Sequence, residues 1–294
     1  MICAVLLNPG DVVITDSFVY GGTLNTLRRH FTDIRGIASD ESGMDPEALD
    51  KEIENAIKSG HKPKFVYLIP TFQNPQGWTI PESRRKDLLA VTQKYGVPIL
   101  EDDCYADNRY DGDLPTSILN LDDTNSVMYV GSFSKTIAPG MSLGYMTAPQ
   151  LILDRAMGVK SGRVSEFTAM AVEKYARKYL DAHIEEINKI QRTKRDAMLS
   201  ALGENFGTGA KWSDPDGGLY IWVKLKEGSD MGALNKRSVE EIDVGFHPGV
   251  NYSPDGTSGK NHIRLCYGYN QPDEITEGIS RLANFLSKEG VLDS

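Results

Sequence analysis

Cysteine is scarce in this sequence: Cys3, Cys104 and Cys266 are the only three in 294 residues. Widely spaced and odd in number, they suit neither a disulfide framework nor a zinc site. They read as reduced, mostly buried thiols of a cytoplasmic protein. Histidine is sparse as well, five residues with no pair at metal-ligand spacing, so no metal is expected. His247, in the run Gly245-Phe246-His247-Pro248-Gly249, is read as a solvated loop residue rather than one lining a cleft. No apolar run approaches the roughly 20 residues that span a bilayer. The opening residues Met1 to Leu7 are too short, and lack the basic flank, for a secretory signal. Basic residues are outnumbered, 32 Lys and Arg against 41 Asp and Glu, for a formal charge of -9. That balance excludes a nucleic-acid-binding body, which needs clustered cations against phosphate. Asn251-Tyr252-Ser253 has the spelling of a glycosylation sequon, but Pro254 follows it and no secretion signal precedes it. Internal repeats and low-complexity segments are absent.

What is present is an alternation of short β-rich runs with amphipathic helical patterns. Val12 to Thr15 reads as a buried strand, Gly22 to His30 as a helix, and Asp45 to Lys58 as a second helix opened by Asp45-Pro46-Glu47. Lys64 to Ile69 is expected to be a strand, Ser83 to Tyr95 a helix, and Val97 to Glu101 a strand. Ser126 to Val130 and Leu143 to Thr147 follow as two more strands. This order predicts an α/β fold, with a mostly parallel sheet covered by helices on both faces. From about Leu151 the texture changes to long charged helices, Leu151 to Gly158 and then Glu166 to Asn205, the latter expected to break near Asp181. Strands are predicted at Gly218 to Leu225, Asp243 to Phe246 and His262 to Cys266, with a closing helix from Asp273 to Ser287. The chain is therefore divided into a large domain over 1–150, connecting helices over 151–190 and a small C-terminal α+β domain over 191–294.

In an open parallel sheet, ligands bind beyond the carboxyl ends of the strands. Three strand ends carry chemistry here. Pro70-Thr71-Phe72-Gln73-Asn74-Pro75-Gln76-Gly77 follows one, Glu101-Asp102-Asp103-Cys104-Tyr105 the next, and Gly131-Ser132-Phe133-Ser134-Lys135-Thr136 the third. One rim thus receives an amide, carboxylates, a phenol, two hydroxyls and a single lysine. A lone lysine after a strand is usually a solvated charge, but one flanked by apolar residues near carboxylates can become a nucleophile for carbonyl carbons. A pyridoxal 5′-phosphate (PLP) site requires such a lysine, a carboxylate for the pyridine nitrogen, and donors for the ring oxygen and phosphate. Residue types alone leave that reading open.

The run Ser132-Phe133-Ser134-Lys135-Thr136-Ile137-Ala138-Pro139-Gly140, with Gly144-Tyr145 after it, resembles the PLP-lysine motif of the class I/II aminotransferases. The resemblance is nearest to the aminoadipate, kynurenine and aromatic branch. Four further blocks match in the family's order: Phe72 to Gly77, Glu101 to Tyr105, Asp216 to Trp222 and Ile263-Arg264-Leu265. The resemblance implies the PLP fold type I and an enzyme, usually dimeric, that moves an amino group between an L-amino acid and a 2-oxo acid. Under it, Lys135 forms the Schiff base and shuttles the proton, and Asp102 faces the pyridine nitrogen. Tyr105 and Asn74 bond the ring oxygen, Tyr20 stacks on the ring, and Ser132 and Ser134 hold the phosphate. Arg264 clamps the substrate carboxylate, beside Asn74. Tyr20, Tyr105 and Phe246 hint at room for bulky or aromatic substrate groups.

The sequence departs from the family in two respects. Seven residues after the lysine, where the family usually has a phosphate-binding arginine, stands Ser142. Ile2 to Asp11 resembles the end of the helix that follows the family's phosphate-binding loop. That loop, the first sheet strand and part of the small domain are thus expected before residue 1. Without its usual neighbour, Leu143 to Thr147 is expected to form an open sheet edge. The alternative reading is a truncated or degenerate non-catalytic relative, which binds PLP only or serves as the effector-binding body of a regulator.

Overall fold

The computed structural model describes residues 1–162 and 164–292. Its first sheet is built from β1 (Val12–Asp16), β2 (Asp33–Ile37), β5 (Phe65–Leu68), β6 (Ile99–Asp102), β7 (Val127–Ser132) and β8 (Gly144–Thr147). A two-stranded hairpin, β3 (Ser39–Asp40) with β4 (Gly43–Met44), stands apart from it. The sheet order is β2-β1-β5-β6-β7-β8, parallel throughout except that β8 runs antiparallel to β7. The predicted α/β architecture is therefore the one formed.

Strand parity explains why consecutive residues in these runs are apolar. Val12, Ile14, Val66, Leu68, Ile99 and Val127 belong to one apolar layer, and Val13, Phe65, Tyr67, Leu100 and Met128 to the opposite one. Alternate side chains point to opposite faces, so a strand covered on both sides must be apolar at every position. Helices α3 (Pro46–Lys58), α4 (Glu82–Tyr95) and α5 (Ile118–Leu121) cover the first layer through Leu49, Ile53, Leu88 and Ile118. Helices α1 (Ile2–Leu6), α2 (Gly21–Arg29) and α6 (Gln150–Val159) cover the second through Ile2, Leu24, Leu27 and Ile152.

The predicted break near Asp181 does not occur: α7 (Glu166–Asn205) is continuous over 40 residues. Asp181 is exposed and no proline interrupts the run, so nothing removes a backbone hydrogen bond there. At about 1.5 Å per residue such a helix is roughly 60 Å long. Its C-terminal end packs Met198, Ala201 and Leu202 into a third core beneath an antiparallel sheet ordered β11-β12-β10-β9. These strands are β9 (Lys211–Trp212), β10 (Tyr220–Lys224), β11 (His247–Pro248) and β12 (His262–Cys266). Helix α9 (Pro272–Lys288) closes the same core with Ile275, Ile279, Leu282 and Leu286 at helical spacing. The strand predicted at Asp243 to Phe246 is also corrected. Helix α8 (Met231–Ile242) ends at Asp243 in the left-handed region (φ 54°), and Phe246 is buried in the small core. The overlooked signal is Asp230, whose carboxylate caps the backbone N–H groups of Gly232 and Ala233. Among the described residues no helix is long and apolar enough to cross a membrane.

Two buried groups fix the strand-end loops. Arg85 of α4 is fully buried and donates to the carbonyls of Ile80, Pro70 and Thr116 and to Thr71 Oγ1. It ties the loop after β5 to the segments around Ile80 and Thr116, and among the described residues it has no direct carboxylate partner. Asp16, at the end of β1, is 1% exposed and accepts from Ser39 Oγ at 3.0 Å. Burial pushes its carboxyl up to about 7, only partly opposed by the Ser39 bond. A raised carboxyl holds its proton longer in the folded than in the unfolded chain, so its contribution to stability falls as pH rises. The window runs from the ordinary 3.8 to about 7. Asp16→Asn should therefore reduce the loss of unfolding free energy across that window, by up to about 1.4 kcal/mol per pH unit. Urea unfolding at a series of pH values tests this, and unchanged pH dependence in the variant would refute it.

Candidate active site

The carboxyl ends of β5, β6 and β7 converge, as the sequence led one to expect. Parity sorts the three consecutive acids after β6. Glu101 turns to the helix side and accepts the backbone N–H groups of Ile118 and Leu119 at 2.9 and 2.8 Å. Burial nevertheless raises its carboxyl to about 7. Asp103 accepts from Tyr129 Oη at 3.1 Å. Asp102 points to the opposite face, among Tyr67, Cys104 and Tyr105. Its Oδ2 accepts from Tyr67 Oη at 2.6 Å and its Oδ1 from Cys104 Sγ at 2.8 Å. Burial raises its pKa, and the Cys104 and Tyr67 bonds work against that shift.

Lys135 lies in the turn after β7, partly buried. Its carbonyl accepts from Asn108 Nδ2 at 3.4 Å, and the next carbonyl, of Thr136, accepts from His183 Nε2 of α7 at 2.9 Å. The long helix thus braces the lysine turn from behind. The Lys135 charge also acts on Cys104, lowering the thiol's pKa against a burial effect that raises it overall. Ser132 closes β7, and its Oγ accepts the backbone N–H of Ser134 at 3.1 Å. Ser142 is exposed and sits in the left-handed region at φ 48°, just before β8.

The other half of the site comes from the second sheet. Arg264 on β12 is 8% exposed, and its Nη1 donates to Asn74 Oδ1 at 2.9 Å. The guanidinium lies over the Tyr220 ring at 4.0 Å and near the Tyr252 ring at 5.1 Å. Among the described residues no carboxylate is within ion-pair distance of it, and its Nε is buried without a partner. Asn74 in turn donates from Nδ2 to Tyr105 Oη at 3.2 Å, so Arg264, Asn74 and Tyr105 form one hydrogen-bonded row. Glycine makes the close approach of the two halves possible. A Cβ at Gly217 would lie 2.2 Å from the Asn108 carbonyl oxygen and 2.4 Å from the Phe72 ring.

Tyr20 caps the start of α2 and is 45% exposed. It lines a cleft of about 840 Å³ together with Arg264, Tyr252, Asn251 and His247. His247 was expected to be simply solvated; it is exposed, but on the wall of this cleft. A second cleft of about 650 Å³, on the far side of Phe18 and Trp222, is walled by Trp78, Trp212 and His262. Lys135, Asp102 and Asn74 line neither cleft, though Asn74 reaches the second sheet through Arg264.

The family model for aminotransferases of class I and II matches residues 1–282. The chain belongs to this family. Aromatic-amino-acid aminotransferase 1 of Thermococcus litoralis is 35% identical over 293 residues, spanning 98% of this chain and 70% of that protein. The crystal structure of a Pyrococcus horikoshii kynurenine aminotransferase superposes with a TM-score of 0.93 at 37% identity, covering 98% of this chain and 72% of that one. Another, LysN of Thermus thermophilus, an α-aminoadipate aminotransferase complexed with N-(5′-phosphopyridoxyl)-L-leucine, gives 0.91 at 29% identity, over 97% and 73%. As a class I/II aminotransferase the protein uses PLP and exchanges amino groups between amino acids and 2-oxo acids.

The aminotransferase brings together, on one side of the sheet, a lysine, a carboxylate, a phenol–amide pair and two serine hydroxyls. That donor set fits PLP. Phe246 does not join it, because it packs into the small core instead. Sequence reasoning missed Tyr67, Thr23, Tyr220 and Tyr252. Tyr67 is hidden in an unbroken apolar strand, and the two tyrosines flanking Arg264 come together only across separate segments.

Proposed function

We propose that this aminotransferase works through Lys135, Asp102 and Arg264, with the other rim residues holding the cofactor. The observation that carries the reading is Arg264. A guanidinium withdrawn from water without a carboxylate partner is costly. It is accounted for if a substrate α-carboxylate completes the fork beside Asn74. When bound, PLP supplies an electron sink for the bond broken at the substrate α-carbon. Lys135 would anchor the cofactor covalently. Its amine, when free, would take up and move the proton at the substrate α-carbon. Asp102 would keep the ring nitrogen protonated. Asn74 and Tyr105 would donate to the ring oxygen, Tyr20 would cover the ring face, and Ser132 and Ser134 would hold the phosphate. Where relatives place an arginine, Ser142 offers one neutral bond, so the serines and the covalent link carry more of the affinity.

Borohydride reduction of the PLP-loaded protein should place the label on Lys135 alone. Peptide mapping that finds it elsewhere, or nowhere, would refute the assignment. Arg264→Gln keeps a donor for Asn74 but removes the charge. It should raise KM for the amino acid by about 10²-fold, with the Lys135 label intact. Steady-state kinetics showing an unchanged KM would remove Arg264 from the substrate site.

The working division of the chain is a PLP-binding unit over 1–150, a linker over 151–190 and a substrate-clamping unit over 191–294. Three free cysteines are consistent with a reducing, cytoplasmic setting. The active form is proposed to be a homodimer. Tyr145 and Met141, in and just before β8, are 51% and 40% exposed, and exposed apolar side chains of this size favour burial against another chain. Light scattering at micromolar concentration should therefore give about twice the chain mass. A stable monomer would count against the dimer.

A further inference from the structure

The two donors on Asp102 have no part in the reaction as described, yet one of them is the start of a longer chain of contacts. Tyr67, 2% exposed on β5, donates to Asp102 Oδ2 at 2.6 Å, and its oxygen accepts from Thr23 Oγ1 at 3.0 Å. Thr23 lies in the first turn of α2, where its own backbone N–H bonds the Tyr20 carbonyl at 3.0 Å. A continuous path therefore runs from the residue proposed to cover the ring face to the residue proposed to meet the ring nitrogen. Cys104 Sγ holds the other oxygen of the carboxylate at 2.8 Å.

The donor sense of this path is fixed by chemistry. Burial and the neighbouring Asp102 charge raise the Tyr67 phenol well above its ordinary value, so it stays protonated and can only donate to the carboxylate. A threonine hydroxyl behind it takes the remaining lone pair of the phenol oxygen and leaves Tyr67 one rotational choice. Each Asp102 oxygen still has a lone pair free for a third donor. The titratable groups facing Asp102 are Tyr67, Cys104 and, more remotely, Asp103.

We propose that Tyr67, held by Thr23, is a positioning residue that keeps the Asp102 carboxylate anionic and aimed at the cofactor's ring nitrogen. Cys104 supports the same carboxylate from its other side, as the weaker donor. The proposal rests on the reading of Asp102 given above. Without the phenol the carboxylate would be a stronger base and would compete for the proton of the cofactor's ring nitrogen. A ring that holds that proton less firmly would withdraw less electron density from the end where Lys135 would be attached.

The test is a pH titration of the visible cofactor band of the PLP-loaded protein, with kinetics and PLP affinity measured alongside. In Tyr67→Phe the band midpoint should move up by about half a unit to one unit, and kcat should fall about tenfold while KM changes by less than about twofold. Thr23→Val should shift the midpoint the same way but less, and Thr23→Ser should restore it; neither touches the cofactor, so both remain informative if Tyr67→Phe folds poorly. PLP affinity should change little in any of these variants. Unmoved midpoints in Tyr67→Phe and Thr23→Val would overturn the relay and leave Asp102 in place. A shift in the first without one in the second would remove Thr23 from it. Asp102→Asn with an unmoved midpoint would overturn the reading of Asp102, and the relay with it.

Discussion

The hydrogen bond from Arg264 to Asn74 joins two sheets that share no strand, and the geometry of the site depends on it. On one side, Asn74 belongs to a loop whose start, at Pro70 and Thr71, is fastened by the buried Arg85. On the other, Arg264 is gripped by the rings of Tyr220 and Tyr252. Gly217 and Gly218 let the intervening segments touch, since a side chain on either would meet Phe72. The contact is polar and nearly dry, so it is strong when made and expensive to leave half made. In its proposed role the guanidinium would be oriented before any substrate arrives, which is the condition under which binding energy goes into positioning the reacting atoms.

The acids after β6 show how one sheet separates structural from chemical work. Glu101, Asp102 and Asp103 are consecutive, and all three are pushed toward the protonated form by burial. Pleating sends the middle one to the face opposite its neighbours. Glu101 then satisfies the start of α5, while Asp102 is left with side-chain donors and room for another. The same alternation places Tyr67 of β5 beside Asp102. A perturbed carboxylate is therefore not by itself a sign of function; Asp102, proposed to meet the cofactor, differs from its two neighbours in the face it occupies and in its company.

The strand-end segments, the α/β plan with five of the six strands of its large sheet, and the family were legible in the sequence by itself; the edge strand β2, Asp33–Ile37 and buried only at Ile37, was not. Two kinds of local pattern made them so: apolar runs long enough for buried parallel strands, and short motifs whose order survives without knowledge of distance. Residues such as Lys135, Asp102 and Asn74 announce themselves because their chemistry is concentrated at the ends of those runs. Tertiary structure alone decided the rest. It kept α7 unbroken through Asp181, because an exposed acid breaks no hydrogen bond, and it drew Phe246 into the small core. It brought Tyr67 and Thr23, 44 positions apart, within hydrogen-bond reach of each other. It also left Arg264, 190 positions from Asn74, without an acid partner. A sequence states which groups can bond; only the packing of distant segments decides which of them meet, and which are left with a bond still to make.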